Sequence, residues 1–404
     1  MGVIPNNHSN VVYMLTKEHI QFIQKNINSN LVDLVLKGLP FTDVDASFLA
    51  QQISARQRMK KKLPSWIANV EVVFPASLNL AQSSSEITAN YKANIIQKSK
   101  IADLTGGFAI DAFAFAKTNT AVFYVEQDQS LFNLVEHNAN VFKLKNFKMN
   151  NTSAEEFLNN FKGKLDWIYL DPSRRDEAKN KVFLFEDCQP NIISLLPDLK
   201  SNCDFLLMKT SPLIDLTYGI KELKYVKKIH IVAVENEVKE LLWELDFSTE
   251  NLLPILKTIQ FKKEKSYSFE IDNENTSTEV SYSKPLQYVY EPNAALMKGG
   301  KFNQLAEAFQ LKKLHPNSHL FTSNKIEKDF PGRSFSIEKV EEYKPKLLKK
   351  QLKGKKINIS TRNFPIVAKD LIRLLNTRDG GENYVFFTTQ FNHQKIVMTC
   401  LKTT

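Results

Sequence analysis

Two segments hold the residues best suited to chemistry. The first is Asp166-Trp167-Ile168-Tyr169-Leu170-Asp171-Pro172-Ser173-Arg174-Arg175, an apolar run that ends in Asp-Pro. That order puts a carboxylate at the carboxyl edge of a strand. Pro172 has no N–H and stiffens the loop, so carbonyls there stay free to accept hydrogen bonds. A carboxylate beside such carbonyls can hold the exocyclic amine of a base and aim its lone pair at a methyl donor. Asp171, Pro172 and Ser173 are the candidate catalytic residues, and Arg174 and Arg175 could bind phosphate as planar forks. The second segment is Asp103-Leu104-Thr105-Gly106-Gly107-Phe108-Ala109-Ile110-Asp111, a strand end that opens a helix. Gly106 and Gly107 allow a tight turn and close approach of backbone to a ligand. Glu126 ends the next apolar run, at a spacing that suits an acid accepting from ribose hydroxyls.

Two cofactors compete for this loop. A dinucleotide site favours Gly-x-Gly-x-x-Gly and a helix amino terminus facing pyrophosphate. The present loop lacks that spacing and carries Asp103 ahead of the glycines, where a carboxylate would repel pyrophosphate. S-adenosylmethionine (SAM) offers an ammonium and a sulfonium and has no phosphate. The loop therefore favours SAM, with Asp103, Thr105, Gly106, Gly107 and Glu126 as cofactor contacts.

These loops need a sheet to hold them. From Ser99 onward, short apolar runs alternate with amphipathic stretches: Ile101–Leu104, Ala121–Val125, Trp167–Leu170, Asp204–Met208 and Lys228–Val234 read as strands. Strands alternating with helices imply an α/β fold with a mostly parallel sheet, whose ligands bind beyond the carboxyl ends of the strands. Asn236–Leu245 reads as helix, Phe261–Ile271 as one strand and Val70–Phe74 as a short strand. Residues 15–62 read as helices. The expected organisation is an N-terminal helical region (1–75), a Rossmann-like catalytic domain (76–285) and a small C-terminal α+β domain (286–404). In the last, Lys344–Lys356 reads as turn or surface.

The segment order resembles class I SAM-dependent methyltransferases, with Asp103–Asp111 as the first motif and Asp171–Arg175 as the fourth. A closer resemblance spans nearly the whole chain, to bacterial methyltransferases with a C-terminal THUMP-like domain. It rests on Gln82-Ser83-Ser84-Ser85-Glu86, Thr88-Ala89, Tyr91-Lys92-Ala93, Lys209-Thr210-Ser211-Pro212, Asn236-Glu237, Phe330-Pro331-Gly332-Arg333 and Arg362-Asn363-Phe364-Pro365. The resemblance implies that Ser84, Glu86 and Thr88 lie over the methionine end of SAM, and that Ser153 stands where the third motif meets adenine. Lys209 follows a strand and would edge the pocket as a substrate contact or a turn residue, and the matched Arg333 and Arg362 are further candidate substrate contacts. THUMP domains generally serve RNA-modifying enzymes, so a tRNA or rRNA partner follows by analogy.

Charge supports a polyanionic partner. Residues 1–254 carry 28 basic and 29 acidic side chains, and residues 255–404 carry 26 and 15. Seven lysines (Lys344, Lys346, Lys349, Lys350, Lys353, Lys355 and Lys356) crowd one stretch of the tail. Such clusters attract nucleic acid or simply solvate a surface.

Several classes are disfavoured. The longest apolar runs last a few residues where a bilayer needs ~20, so no membrane partner is expected. Three scattered cysteines form no disulfide framework or zinc set. None follows the Asp171 or Lys209 strand ends, which disfavours thiolate-dependent carbon-5 methylation. Seven histidines lack ligand spacing, so no metal is expected. A cytoplasmic location is the simplest reading. Two rivals to an RNA base-nitrogen methyltransferase stay open. One is a methyltransferase for a small molecule or protein, the other a non-catalytic RNA-binding protein with a relic Rossmann domain.

Overall fold

Apolar runs too short for helices, bounded by polar loops, become the strands of the first sheet. The computed structural model describes residues 15–36, 38, 40–174, 184–250, 253–263, 265–272 and 280–403. It forms two compact units: residues 1–227 with 242–252, and residues 228–241 with 253–404.

In the first unit, β1 (Lys100–Asp103), β2 (Ala121–Val125), β3 (Phe147–Asn150), β4 (Leu165–Leu170) and β7 (Cys203–Thr210) lie in the order β7-β4-β1-β2-β3. All four pairings are parallel. Between β4 and β7 lies a two-stranded hairpin of β5 (Ser173–Arg174) and β6 (Cys188–Gln189). The last three residues of β1, of β4 and of β7 are all buried, as expected for strands covered on both faces. Asp103 pairs in register with Tyr124 on one side and Tyr169 on the other, which brings the ends of β1, β2 and β4 to one edge. The helix Ile110–Ala116 starts from that edge and is buried along its whole length.

The N-terminal region is helical, as expected, with Ile23, Val44, Leu49 and Ile53 forming a small core. Val70–Phe74 is not a strand. Val72, Val73 and Phe74 are buried in an extended loop whose backbone groups bond to side chains instead of a neighbouring strand. Gln52 exchanges two hydrogen bonds with Phe74, and Asn138 two with Val73. Arg56 donates to the carbonyls of Val70 and Val72. Buried backbone must be paired, and here amide and guanidinium side chains do it. Arg56, basic in sequence, is thus a buried strut rather than a surface contact.

Past β7 the chain forms β8 (Val226–Val234) and β9 (Glu237–Asp246). The latter corrects the expected helix. Glu235 and Asn236 both have positive φ, so the chain reverses in two residues. Leu241, Leu242, Trp243 and Leu245 are all buried, which a one-sided helix would not achieve. The expected single strand over Phe261–Ile271 is two, β10 (Ile255–Lys262) and β11 (Lys265–Ile271), paired antiparallel.

The second unit also holds a seven-stranded sheet in the order β13-β14-β12-β15-β18-β17-β16. Its strands are β12 (Tyr288–Pro292), β13 (Lys312–Lys313), β14 (Phe321–Ser323), β15 (Gly332–Glu342), β16 (Lys356–Arg362), β17 (Arg378–Thr389) and β18 (Lys395–Lys402). One pairing, β16 with β17, is parallel. Phe335, Phe386 and Met398 pack in one cluster, and Leu371, Leu375, Phe387 and Val397 in another. The lysine-rich stretch is surface, as one of its two readings expected, with a helix over Pro345–Leu352 inside it. Leu348 and Leu352, four residues apart, face the core, while all seven lysines are exposed.

Candidate active site

A cavity of about 380 Å³ opens at the carboxyl edge of β1, β2 and β4. The glycine loop, the start of the Ile110–Ala116 helix, the segment after β3 and the Asp171 loop all line it. Its lining includes five carboxylates: Asp103, Asp111, Glu126, Glu155 and Asp171. Among the described residues it includes no Lys, Arg or His.

The glycine loop is built by close contacts. A Cβ at Gly106 would lie 2.2 Å from the Tyr124 ring, so only glycine lets the loop cross β2. Gly107 has φ +52°, and Tyr124 donates its hydroxyl to the Gly107 carbonyl at 2.7 Å. Glu126 ties two loops together. One carboxylate oxygen accepts the Gly107 N–H at 2.9 Å and the other the Asp128 N–H at 2.8 Å. A carboxylate has about four lone-pair sites, so each oxygen keeps capacity for a ligand hydroxyl. Asp128 caps the next helix and orients the loop.

Asp103 ends β1, is buried, and accepts from the Thr105 N–H at 3.1 Å. Burial, with the charge of Asp111 next in weight, holds its carboxyl well above the usual aspartate range. Asp171 and Glu126 push the same way. Asp111, also buried, behaves oppositely. Burial alone would raise it, but Lys92 and Lys209, with hydrogen bonds from Ser84 and Tyr169, leave it below the usual range. Lys92 Nζ lies 3.2 Å from Asp111 and 3.1 Å from the Ser84 hydroxyl, which itself donates to Asp111 at 2.7 Å. Tyr169 donates to the same carboxylate at 2.9 Å. Lys92 is fully buried, so this network fixes the floor of the cavity.

Asp171 follows β4, with its side chain 31% exposed. Its carboxylate pairs with the ammonium of Lys209, on β7. Burial raises the Asp171 carboxyl above the usual range, and Lys209 works against that. Ser173 lines the cavity from β5, opposite Gln189. Pro172 is buried behind it and is not a lining residue.

The structure thus brings together Ser84, Asp103, Thr105, Gly106, Gly107, Glu126, Ser153, Asp171 and Ser173 around one cavity. Ser153 also caps the helix Ala154–Asn160. Glu86 and Thr88 do not line it. Glu86 accepts from the N–H groups of Ser65 and Trp66 and so caps the short helix Pro64–Ala68. Thr88 is buried and bonded back to Ser85. Lys209 reaches the site through Asp171. Nothing is described of the Arg174 side chain, and Arg175 lies outside the described residues. Arg333 and Arg362 belong to the second unit, where both bond to Glu291. Sequence reading passed over Lys92, Asp111, Glu155 and Glu291 as site residues. The usable signal for the first was a lysine among Ala89 and Ala93 on a helix face.

Residues 288–331 match a ferredoxin-like domain family, and residues 332–402 a THUMP domain-like family. A crystal structure from Porphyromonas gingivalis W83, described as a "putative methyltransferase", is 31% identical. The match covers 96% of this chain and 98% of that one, with a TM-score of 0.87. The chain belongs to this methyltransferase family. It combines a class I methyltransferase sheet with a THUMP-like C-terminal domain. Two further structures align with parts of this family member. They are TrmK of M. capricolum, bound to S-adenosyl-homocysteine, and the ribosomal protein L11 methylase of Lactobacillus delbrueckii subsp. bulgaricus. Each is 14% identical; they cover 40% and 44% of this chain, and 69% and 81% of their own. Their TM-scores are 0.32 and 0.30. No protein of curated function matches the chain.

Proposed function

We propose that this protein is a SAM-dependent methyltransferase acting on a base nitrogen of tRNA or rRNA. The observation that carries the cofactor assignment is the lining of the cavity at the carboxyl edge of a parallel sheet: five carboxylates and, among the described residues, no Lys, Arg or His, with Lys92 and Lys209 engaged by Asp111 and Asp171. Such a lining gives a phosphate-bearing nucleotide no partner and suits a ligand with an ammonium and a sulfonium. Bound SAM would supply an electrophilic methyl group.

The chain's own residues then divide the work. Glu126 accepts from ribose hydroxyls with the lone pairs its two N–H partners leave. Asp103 faces the ammonium, whose charge favours the ionised carboxylate that burial disfavours. Ser153 and its neighbours Thr152 and Glu155 border the adenine, and Gly106–Gly107 bring backbone close. Asp171 accepts from the target amine, orients its lone pair, and takes its proton directly or through water. Lys209 holds that carboxylate in place and ionised. Methyl transfer to nitrogen depends on alignment, so positioning is the main catalytic contribution. A paired base must leave its stack to reach the cavity. The excess charge of residues 255–404, together with the THUMP-like match, supports RNA as the partner.

Calorimetry of SAM with the full chain tests the cofactor. Mass spectrometry of modified nucleosides from a deletion strain tests the target. Absent SAM binding overturns the first. Intact nucleosides alongside SAM binding would move the target to a small molecule or protein.

A further inference from the structure

Glu291 lies in an otherwise apolar strand and is 3% exposed. It does not stand alone. Arg362 donates Nε and Nη2 to one of its oxygens at 3.0 and 2.9 Å. Arg333, directly opposite on β15, donates Nε at 2.7 Å and also Nη2 to the other. Ser360 adds its hydroxyl at 3.3 Å. Gly332 permits this approach, because a Cβ there would meet the Glu291 carbonyl at 2.2 Å.

Both arginines are gripped by the same edge. A guanidinium bound through Nε and Nη2 still has both Nη1 protons and one on Nη2, the end-on fork that fits two oxygens of a phosphate. Among the described residues neither Nη1 has a hydrogen-bond partner, and the side chains are 37% and 33% exposed. Arg333 is held further by the rings of Phe335 and Tyr384, at 5.5 and 5.8 Å. One carboxylate against two guanidiniums leaves a net positive charge. More charge gathers nearby, since Lys402 is acidified by burial and then by Lys262, Arg333 and Lys263. Thr388, directly opposite Arg362 in register, is fully buried, and its hydroxyl has no partner. That register places an unpartnered hydroxyl on the strand next to Arg362.

We propose that Arg333 and Arg362, clamped side-on by Glu291, seat a phosphate group of the RNA substrate with their free forks. This rests on the reading of the target as RNA. The exposed lysine helix then contributes diffuse attraction, while the arginine pair makes a defined contact.

The test is binding of end-labelled total tRNA and fragmented rRNA to the full chain at several salt concentrations. R333Q and R362Q should each weaken binding about tenfold or more, and flatten the salt slope by roughly one contact, ~0.7. R362K should keep most of the slope and still lose affinity, because an ammonium has no fork. Where R333Q fails to fold by thermal melting, R333K makes the same comparison with the charge kept. Wild-type affinity in the folded variants overturns the proposal and leaves the RNA reading intact. Absence of RNA binding by the wild type overturns both. Inorganic phosphate that binds the wild type and not R362Q, with RNA affinity equal in the two, would assign the forks to a small anion instead.

Discussion

Asp171 donates its backbone N–H to the Thr105 hydroxyl at 2.6 Å, joining the proline loop after β4 to the glycine loop after β1. The residue proposed to hold the acceptor amine is therefore positioned by the loop proposed to hold the methyl donor. Thr105→Val keeps the shape and removes the acceptor. It should cost about 1 kcal/mol of stability and lower kcat by up to ~10²-fold, with SAM affinity nearly unchanged. Thr105→Ser should restore turnover. Equal kcat in the valine variant would show that the link has no part in alignment.

Asp171→Ala should abolish methyl transfer, a fall of ~10²–10⁴-fold, while calorimetry still finds SAM bound. Lys209→Met gives the subtler result. Lysine opposes the upward push of burial on the Asp171 carboxyl, so its loss raises that pKa further. The acid limb of the pH–rate profile should then move to higher pH. A limb that stays in place would detach Lys209 from the protonation of Asp171.

Glu126→Ala should weaken SAM by ~1.5–3 kcal/mol, the range for a hydrogen bond to a charged group. The same change also frees the Gly107 and Asp128 N–H groups. Glu126→Gln retains one acceptor and should fall between. Calorimetry with unchanged affinity in the alanine variant would remove Glu126 from the site.

Asp103 links stability to pH. Its carboxyl sits well above the ordinary 3.8 because burial, and next Asp111, disfavour the charge. The folded chain therefore keeps a proton that the unfolded chain releases. This contribution to stability is present below 3.8 and is lost as pH rises through the folded value. Asp103→Asn should melt higher than wild type at neutral pH, with the gap closing toward pH 4, yet bind SAM at least tenfold more weakly. Parallel melting curves across pH would contradict this.

Gly106→Ala places a methyl group 2.2 Å from a Tyr124 ring carbon. Overpacking of this kind costs about 1–3 kcal/mol, and the loop must shift away from β2. Tyr124→Leu in the alanine background should recover part of the loss. Thermal melting of the single and double variants reads it directly.

The gathering of the loop residues at the sheet edge was legible in the sequence because it depends on local order. A strand ending in Asp-Pro, two glycines opening a helix and an acid ending the next strand each declare themselves within ten residues. The resemblance extended this to the family and to the C-terminal domain. Long-range contacts decided the rest. Nothing local separates Glu86, which caps a helix begun some twenty residues earlier, from Ser84, which faces the cavity. The Glu237–Asp246 segment carries helical residues, but burial on both faces and a two-residue reversal made it a strand. Lys92 and Glu291 pass in sequence as ordinary charged residues. Only packing shows that each is buried and held by opposite charge, Lys92 against Asp111 and Glu291 between Arg333 and Arg362. A side chain's partner across the fold is set by where the backbone returns, which residue order alone does not state.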